Sequence, residues 1–367
     1  MPLDTSAPLL KDLINPAVLR GVAGTFASLA PGFDRKRFLS VATDGLDALS
    51  ILQRVHRIAM ALHEALPGSY ADRLEILCAA APELTGAFIN MGLCDFVASH
   101  GLHDSARSLK ALKRLTPHGT AEFAIRPFLR QDLAGTLKAM QRWTGDRNEH
   151  VRRLASEGCR PRLPWSFRLE ALVADPAPLA PVLDALREDE SLYVRRSVAN
   201  NLNDISKDHA DWVFDHLSDW DMDNPRSAWI VKHALRSRIK QGDARALRLI
   251  GASDGAHAQV DGLTLHPPRV TLGGEVEIAF ELRSTAAHAQ RLVVDYVVHY
   301  IKKNGSASPK VFKLRTVALA PGAAEPVRIR RALRNFTTRV HYAGRHAVEV
   351  VVNGQTLARG EFELHVP

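Results

Sequence analysis

Three acidic residues stand in contexts unlike those of ordinary surface carboxylates: Glu122 in TAEFAIRPFLRQD, Glu157 in HVRRLASEGCRPRLPW and Asp204 in YVRRSVANNLNDISKDH. Each lies near arginines, and each is expected on a repeated helix. Arg153 falls one helical turn before Glu157, and Arg196, Asn200 and Asp204 form an i, i+4, i+8 stripe. Guanidinium and amide groups beside an acid make a surface that can hold an anion while presenting negative charge to a cation. The stretch Tyr193–His209 also breaks helical convention. Val194, Val198, Leu202 and Ile205 suit a core face, yet the rest of the helix carries Asn200, Asn201 and Asn203 where Glu and Lys would be better helix formers. A helix that departs from its local rules is a candidate functional element.

Plainer readings compete with this one. Arg153 with Glu157, and Arg126 with Glu122, are at the spacing of simple intrahelical ion pairs, worth a few tenths of a kcal/mol. Trp165, which follows Pro164, could fill a gap between repeats. His150 and His209 have no partner at ligand spacing, and no metal site is expected. The sequence contains no P-loop, GxGxxG, GxSxG or HExxH pattern, so nucleotide-cofactor and serine-nucleophile chemistry lack support. Three scattered cysteines, Cys78, Cys94 and Cys159, without a CxxC pair, indicate a reduced cytoplasmic protein. The first residues lack a secretory signal pattern, and no apolar run approaches the ~18 residues of a membrane span.

The elements that must position these residues divide near residue 250. Before it, apolar residues recur at helical spacing, as in LSILQRVHRIAMALHEAL. Related openings HVRRLASEG, YVRRSVANN and WIVKHALRS place Val151, Val194 and Ile230 at intervals of 43 and 36 residues, lengths typical of HEAT-like repeats. Their polar faces would line a concave surface. After about Leu263 the pattern becomes two-residue alternation in six or seven short segments separated by Gly, Pro or polar turns. The expected fold is therefore an all-α HEAT-like solenoid over residues 1–250, a linker over 251–260, and an antiparallel immunoglobulin-like β-sandwich over 261–367. The sandwich lacks the Cys…Trp…Cys signature of antibody domains.

The three motifs, in their order, resemble the AlkC branch of the HEAT-like-repeat alkylpurine DNA glycosylases, one branch of which also carries an immunoglobulin-like C-terminal domain. The resemblance implies hydrolysis of the N-glycosidic bond of small alkylated bases in duplex DNA, chiefly 3-methyladenine and 3-methylcytosine, as a step of base excision repair. It places the catalytic residues at Glu122, Glu157, Trp165 and Asp204. It implies no cofactor and no deep base pocket, the duplex being bent so that the lesion meets the concave face. An N3-methylated base is already cationic, so the barrier lies in positive charge developing on deoxyribose, which carboxylates can stabilise while orienting a water. Asp204 would do so with Glu157, Glu122 would support the lesion, and the Trp165 indole could pack on sugar or base.

Acids facing DNA need cations to offset phosphate repulsion. Arg153 and Arg196 are the expected phosphate contacts, with Asn200 and Asn201 as neutral donors. The chain has a net charge of +8 and a pI near 9.6, which favours an anionic partner. Residues 251–367 hold 15 Lys and Arg against 10 Asp and Glu, so the smaller domain carries most of the excess. Its segments YIKKNGSASPKVFKLR and RIRRALRNFTTR suggest a second DNA clamp, with Lys302, Lys303 and Lys310 in a 302–310 loop. A monomer binding double-stranded DNA, away from membranes, is expected. The alternative is a HEAT-like scaffold that binds DNA or a protein without catalysis.

Overall fold

In the computed structural model, residues 9–253, 255–336 and 340–367 are described. The end of the second basic segment, residues 337–339, lies outside them. The chain forms two compact units. One holds the residues up to Val213 together with Asn224–Ile230, and the other holds Phe214–Asp223 with Val231–Pro367.

The first unit is helical. Two helices carry the VRR motifs, Glu149–Glu157 and Leu192–Ile205. Asn148 caps the first by accepting a hydrogen bond from the His150 amide at 2.8 Å, and Ser191 caps the second through the Tyr193 amide at 3.2 Å. Val151, Leu154 and Ala155 of one, and Val194, Val198, Leu202 and Ile205 of the other, are buried, as the apolar spacing predicts.

The internal repetition extends to hydrogen bonds. Arg152 donates from Nη1 to the carbonyls of Asp146 and Arg147, and Arg195 donates from Nη1 to those of Asp189 and Glu190. In each VRR opening the first arginine thus ties down the preceding turn. The second, Arg153 or Arg196, is left for another use. Glu122 departs from expectation. It sits in a turn, and the helix Arg126–Gln131 begins only after it, with Pro127 in its first turn.

Among its described residues the second unit contains eight strands: β1 Ala258–His266, β2 Arg269–Thr271, β3 Glu275–Ser284, β4 Gln290–Ile301, β5 Ala307–Leu319, β6 Ala324–Ala332, β7 Gly344–Val352 and β8 Gln355–His365. They form a three-stranded sheet, β1-β3-β6, and a five-stranded sheet, β2-β8-β7-β4-β5. Pairing is antiparallel except for β2 on β8, which is parallel. Alternate residues of β3 (Val276, Ile278, Phe280, Leu282) meet those of β4 (Leu292, Val294, Tyr296, Val298) in one core. β4 is buried on its other face as well, at Val293, Asp295 and Val297. Asn353 ties Ser253 and Gly255 there, donating to their carbonyls at 2.9 Å and 2.5 Å while accepting from the Val293 amide at 2.8 Å. The segment read as a linker already contains the first residues of β1.

Candidate active site

The three acids converge through arginines. Arg153 donates from Nη1 to Glu122 Oε2 at 2.9 Å and to Thr120 Oγ1 at 2.9 Å, and from Nη2 to Glu122 Oε1 at 3.3 Å. Its Nη2 also lies 3.5 Å from Glu157 Oε1. The same Glu157 oxygen accepts from Arg160 Nη1 at 2.7 Å, and Arg160 Nε reaches Asp204 Oδ2 at 2.8 Å. Lys207 Nζ completes the row on Asp204 Oδ1 at 3.0 Å. Carboxylate and cation therefore alternate from Glu122 to Lys207, three negative charges against three positive. Glu157 Oε2 is the carboxylate oxygen of this row that accepts no hydrogen bond among the described residues.

Glu122, Glu157, Asp204 and Arg160 are buried, and the Arg153 side chain is nearly so. Burial opposes the charge on Arg153, but Glu122 and Glu157 outweigh it and hold the guanidinium pKa above its ordinary value. Arg160 behaves alike, with Glu157 and Asp204 overcoming desolvation. Such a row is costly to break, because removing one member strands another charge out of water.

Trp165 stands apart from that burial. Its side chain is 65% exposed, and its backbone lies at φ 66°, a region that a bulky residue enters only when its surroundings impose it. Trp165, Ser166 and Phe167 form one wall of a cleft of about 380 Å³, with Thr120, Phe123 and Met91 among the other walls. Thr120 is shared between this cleft and the Arg153 cluster.

The anticipated DNA contacts fall in different places. Arg196 is exposed, with no carboxylate partner among the described residues. Asn200 is half-buried. Asn201 is not a DNA-facing amide: it is fully buried and donates to the Ser156 carbonyl at 2.8 Å, beside the Ser156–Ser197 hydroxyl pair at 2.5 Å. It joins the two motif helices. Of the two plain ion-pair readings, Arg153 with Glu157 is present and Arg126 with Glu122 is not. Arg153 is engaged by Glu122 and Glu157 rather than turned to solvent, and Arg126 bonds backbone carbonyls rather than Glu122.

Lys302 and Lys303 lie at the exposed tip of the β4–β5 hairpin, where Asn304 accepts from the Ser306 amide and hydroxyl. Lys310 lies on β5 rather than in the loop, its ammonium 5.3 Å from the Phe312 ring centre.

Sequence reasoning passed over Arg160, although its i+3 spacing from Glu157 was a usable signal, and over Thr120 and Lys207. Cys159, adjacent in sequence, is fully buried, donates to the Ala155 carbonyl, and has its thiol pKa pushed up to about 12 by burial.

Residues 116–237 match the model of the DNA alkylation repair enzymes, and residues 259–366 match the C-terminal Ig-like domain of uncharacterised protein YhaZ. A helical repair domain followed by an Ig-like sandwich defines the class of protein. Over its length the chain is 49% identical to the Pseudomonas fluorescens alkylpurine DNA glycosylase AlkC, whose structure was solved bound to DNA containing an abasic-site analogue. That match covers 98% of this chain and 100% of the other, with a TM-score of 0.91. The uncharacterised YhaZ of Bacillus subtilis is 36% identical over 356 residues, covering 97% of this chain and 99% of its own. The chain belongs to the AlkC family of alkylpurine DNA glycosylases.

Proposed function

We propose that this chain hydrolyses the N-glycosidic bond of small cationic alkylated bases, 3-methyladenine and 3-methylcytosine, in double-stranded DNA. The observation that carries the reading is the buried alternating row Glu122–Arg153–Glu157–Arg160–Asp204 beside an exposed Trp165. A scaffold that only held DNA would gain nothing from three acids near phosphate. An enzyme that must stabilise a sugar cation gains directly.

The C1′–N bond breaks with its electron pair passing to the base, which thereby becomes neutral and leaves an oxocarbenium ion. Asp204 and Glu157 stabilise that ion. Glu157 Oε2 accepts a hydrogen bond from the attacking water and takes its proton as the water oxygen adds to C1′. Glu122, locked to Arg153, supports the lesion side. The Trp165 indole packs on the sugar or the cationic base.

Arg153, Arg160 and Lys207 leave the row electrically balanced, so DNA can approach without meeting three bare anions. Arg196 then serves as the phosphate contact, and the basic sandwich, with Lys302, Lys303 and Lys310, as the second clamp. No metal or redox cofactor enters this scheme. The protein acts as a monomer, in the compartment that holds the chromosome. No described helix is long and apolar enough to cross a membrane.

The test is incubation of the purified protein with methylated duplex DNA. Release of free 3-methyladenine and 3-methylcytosine with matching abasic sites is expected. Intact glycosidic bonds despite DNA binding would favour the scaffold.

A further inference from the structure

Arg126 is the bulkiest side chain with no exposed surface, at 0%. Among the described residues it has no carboxylate within ion-pair distance, and burial lowers its pKa to about 10, so it remains charged at neutral pH. A buried charge without an ion-pair partner is tolerated only where hydrogen bonds compensate it, and here backbone carbonyls do so. The guanidinium is therefore kept for what it holds.

It holds the segment that carries the site. Nη1 donates to the carbonyls of Gly158 at 3.0 Å and Arg160 at 2.7 Å, and Nη2 donates to that of Phe167 at 2.5 Å. The first carbonyl closes the Glu149–Glu157 helix, the second belongs to the residue that bridges Glu157 and Asp204, and the third lies two residues past Trp165. Arg126 itself follows the turn that carries Glu122. One side chain thus joins three parts of the site. Other ties reinforce the segment: Arg130 lies 3.6 Å from the centre of the Phe167 ring, and Arg162 makes two bonds of 2.7 Å to Asp208. Leu169 and Ser166 close it by backbone bonds to Pro161 and Leu163. An exposed tryptophan at positive φ persists only where its neighbours over-determine it, and these contacts supply that constraint.

We propose that Arg126 is a positioning residue that fixes the 158–167 segment, and through it the presentation of Trp165 and the alignment of Arg160 with Glu157 and Asp204. The proposal rests on the glycosylase reading. Its test has a readout that does not depend on activity.

The full-length protein, labelled with 5-fluorotryptophan at its five tryptophans, is compared with Arg126→Lys by fluorine NMR, the Trp165 signal being assigned with Trp165→Phe. Arg126→Lys keeps the charge but cannot reach three carbonyls in a fixed fork. The Trp165 resonance is expected to shift or broaden while the other four hold. Single-turnover excision of 3-methyladenine should fall at least about tenfold, in line with the cost of small misplacements, with DNA affinity within about twofold. A double-mutant cycle with Trp165→Ala separates routes. If Arg126 acts through the segment, the Trp165 part of its cost should vanish in the Trp165→Ala background, leaving only the part carried by Arg160.

An unmoved Trp165 signal with full excision, or strictly additive losses, overturns the proposal. Should Arg126→Lys not fold, Arg126→Gln serves instead, since its single amide cannot donate to all three carbonyls at once. It is expected to move the same resonance, and an unchanged resonance there also overturns the proposal. A wild-type protein that excises nothing would instead refute the glycosylase reading, whatever the spectrum shows.

Discussion

Asp204 and Glu157 differ in how each carboxylate is engaged: both oxygens of Asp204 accept from cations, whereas Glu157 keeps Oε2 open. Asp204→Asn preserves size but removes a charge that the oxocarbenium ion would feel. Excision should fall well over tenfold, on the order of the ~2–4 kcal/mol typical of one lost electrostatic element, while binding to an abasic-analogue duplex holds. Near-normal single-turnover rates would remove Asp204 from the chemistry. The two second-position arginines should separate in a salt titration. Arg196→Ala is expected to shallow the dependence of DNA affinity on salt by roughly one phosphate's worth. Arg153→Ala should leave that slope unchanged and lower excision, because its charge is already matched by Glu122 and Glu157. The convergence of the three acids was legible in the long motifs that carry them. Arg153 and Asn201 were misplaced because a polar residue on a repeat helix can face the neighbouring helix as well as solvent, and single-helix periodicity does not distinguish the two.

At the scale of elements, the N-terminal helices contain a histidine pair that links folding to pH. His63 and His100 stack with ring centres 3.8 Å apart, and His100 is held down to about 4 by burial, with His63 and Arg73 adding to the effect. A folded-state pKa below the ordinary value near 6.5 means that the unfolded chain binds this proton more readily. The contribution is complete above about 6.5 and is lost as pH falls toward about 4. Thermal midpoints of the wild type should therefore drop across that window more than those of His100→Phe, which stays aromatic without titrating. Parallel curves would show that this pair does not govern the response. Strand elements with strong alternation, such as β3 and β4, were readable to the residue. β1 escaped because a bulge at Gly262, between Asp261 and Thr264, breaks its period. Glu122 was expected on a helix because TAEFAIRPFLRQD has helical spacing, but the helix itself starts only at Arg126, just before Pro127.

The whole molecule does not divide where composition changes. Residues 231–250 look helical, and the expected boundary put them with the solenoid, yet they pack within the second unit. There Gly242 and Gly354 meet so closely that a Cβ on Gly354 would lie 2.1 Å from Gly242 Cα. A cut near residue 250 would therefore strip the sandwich of its helical cover, so removal of charge is the cleaner test of its role. Changing Lys302, Lys303 and Lys310 together to Gln should weaken DNA binding and slow excision at sub-saturating enzyme, with the thermal midpoint little changed. Binding and salt dependence equal to wild type would take the hairpin out of the DNA interface.

A repair enzyme for alkylated DNA must work in the presence of the electrophiles that cause the damage. Cysteine reacts with such reagents as its thiolate. Cys94 and Cys159 are buried with thiol pKa values raised far above the ordinary range, and Cys78, half-buried, is raised as well. The enzyme should thus resist inactivation by the agents whose products it removes. Exposure of the folded protein to a methylating reagent at neutral pH is expected to leave all three thiols unmodified by mass spectrometry and excision intact, whereas the same exposure in denaturant at alkaline pH should methylate all three. Methylation of Cys159 in the folded protein would show that the helix joint around Asn201 opens often enough to admit the reagent.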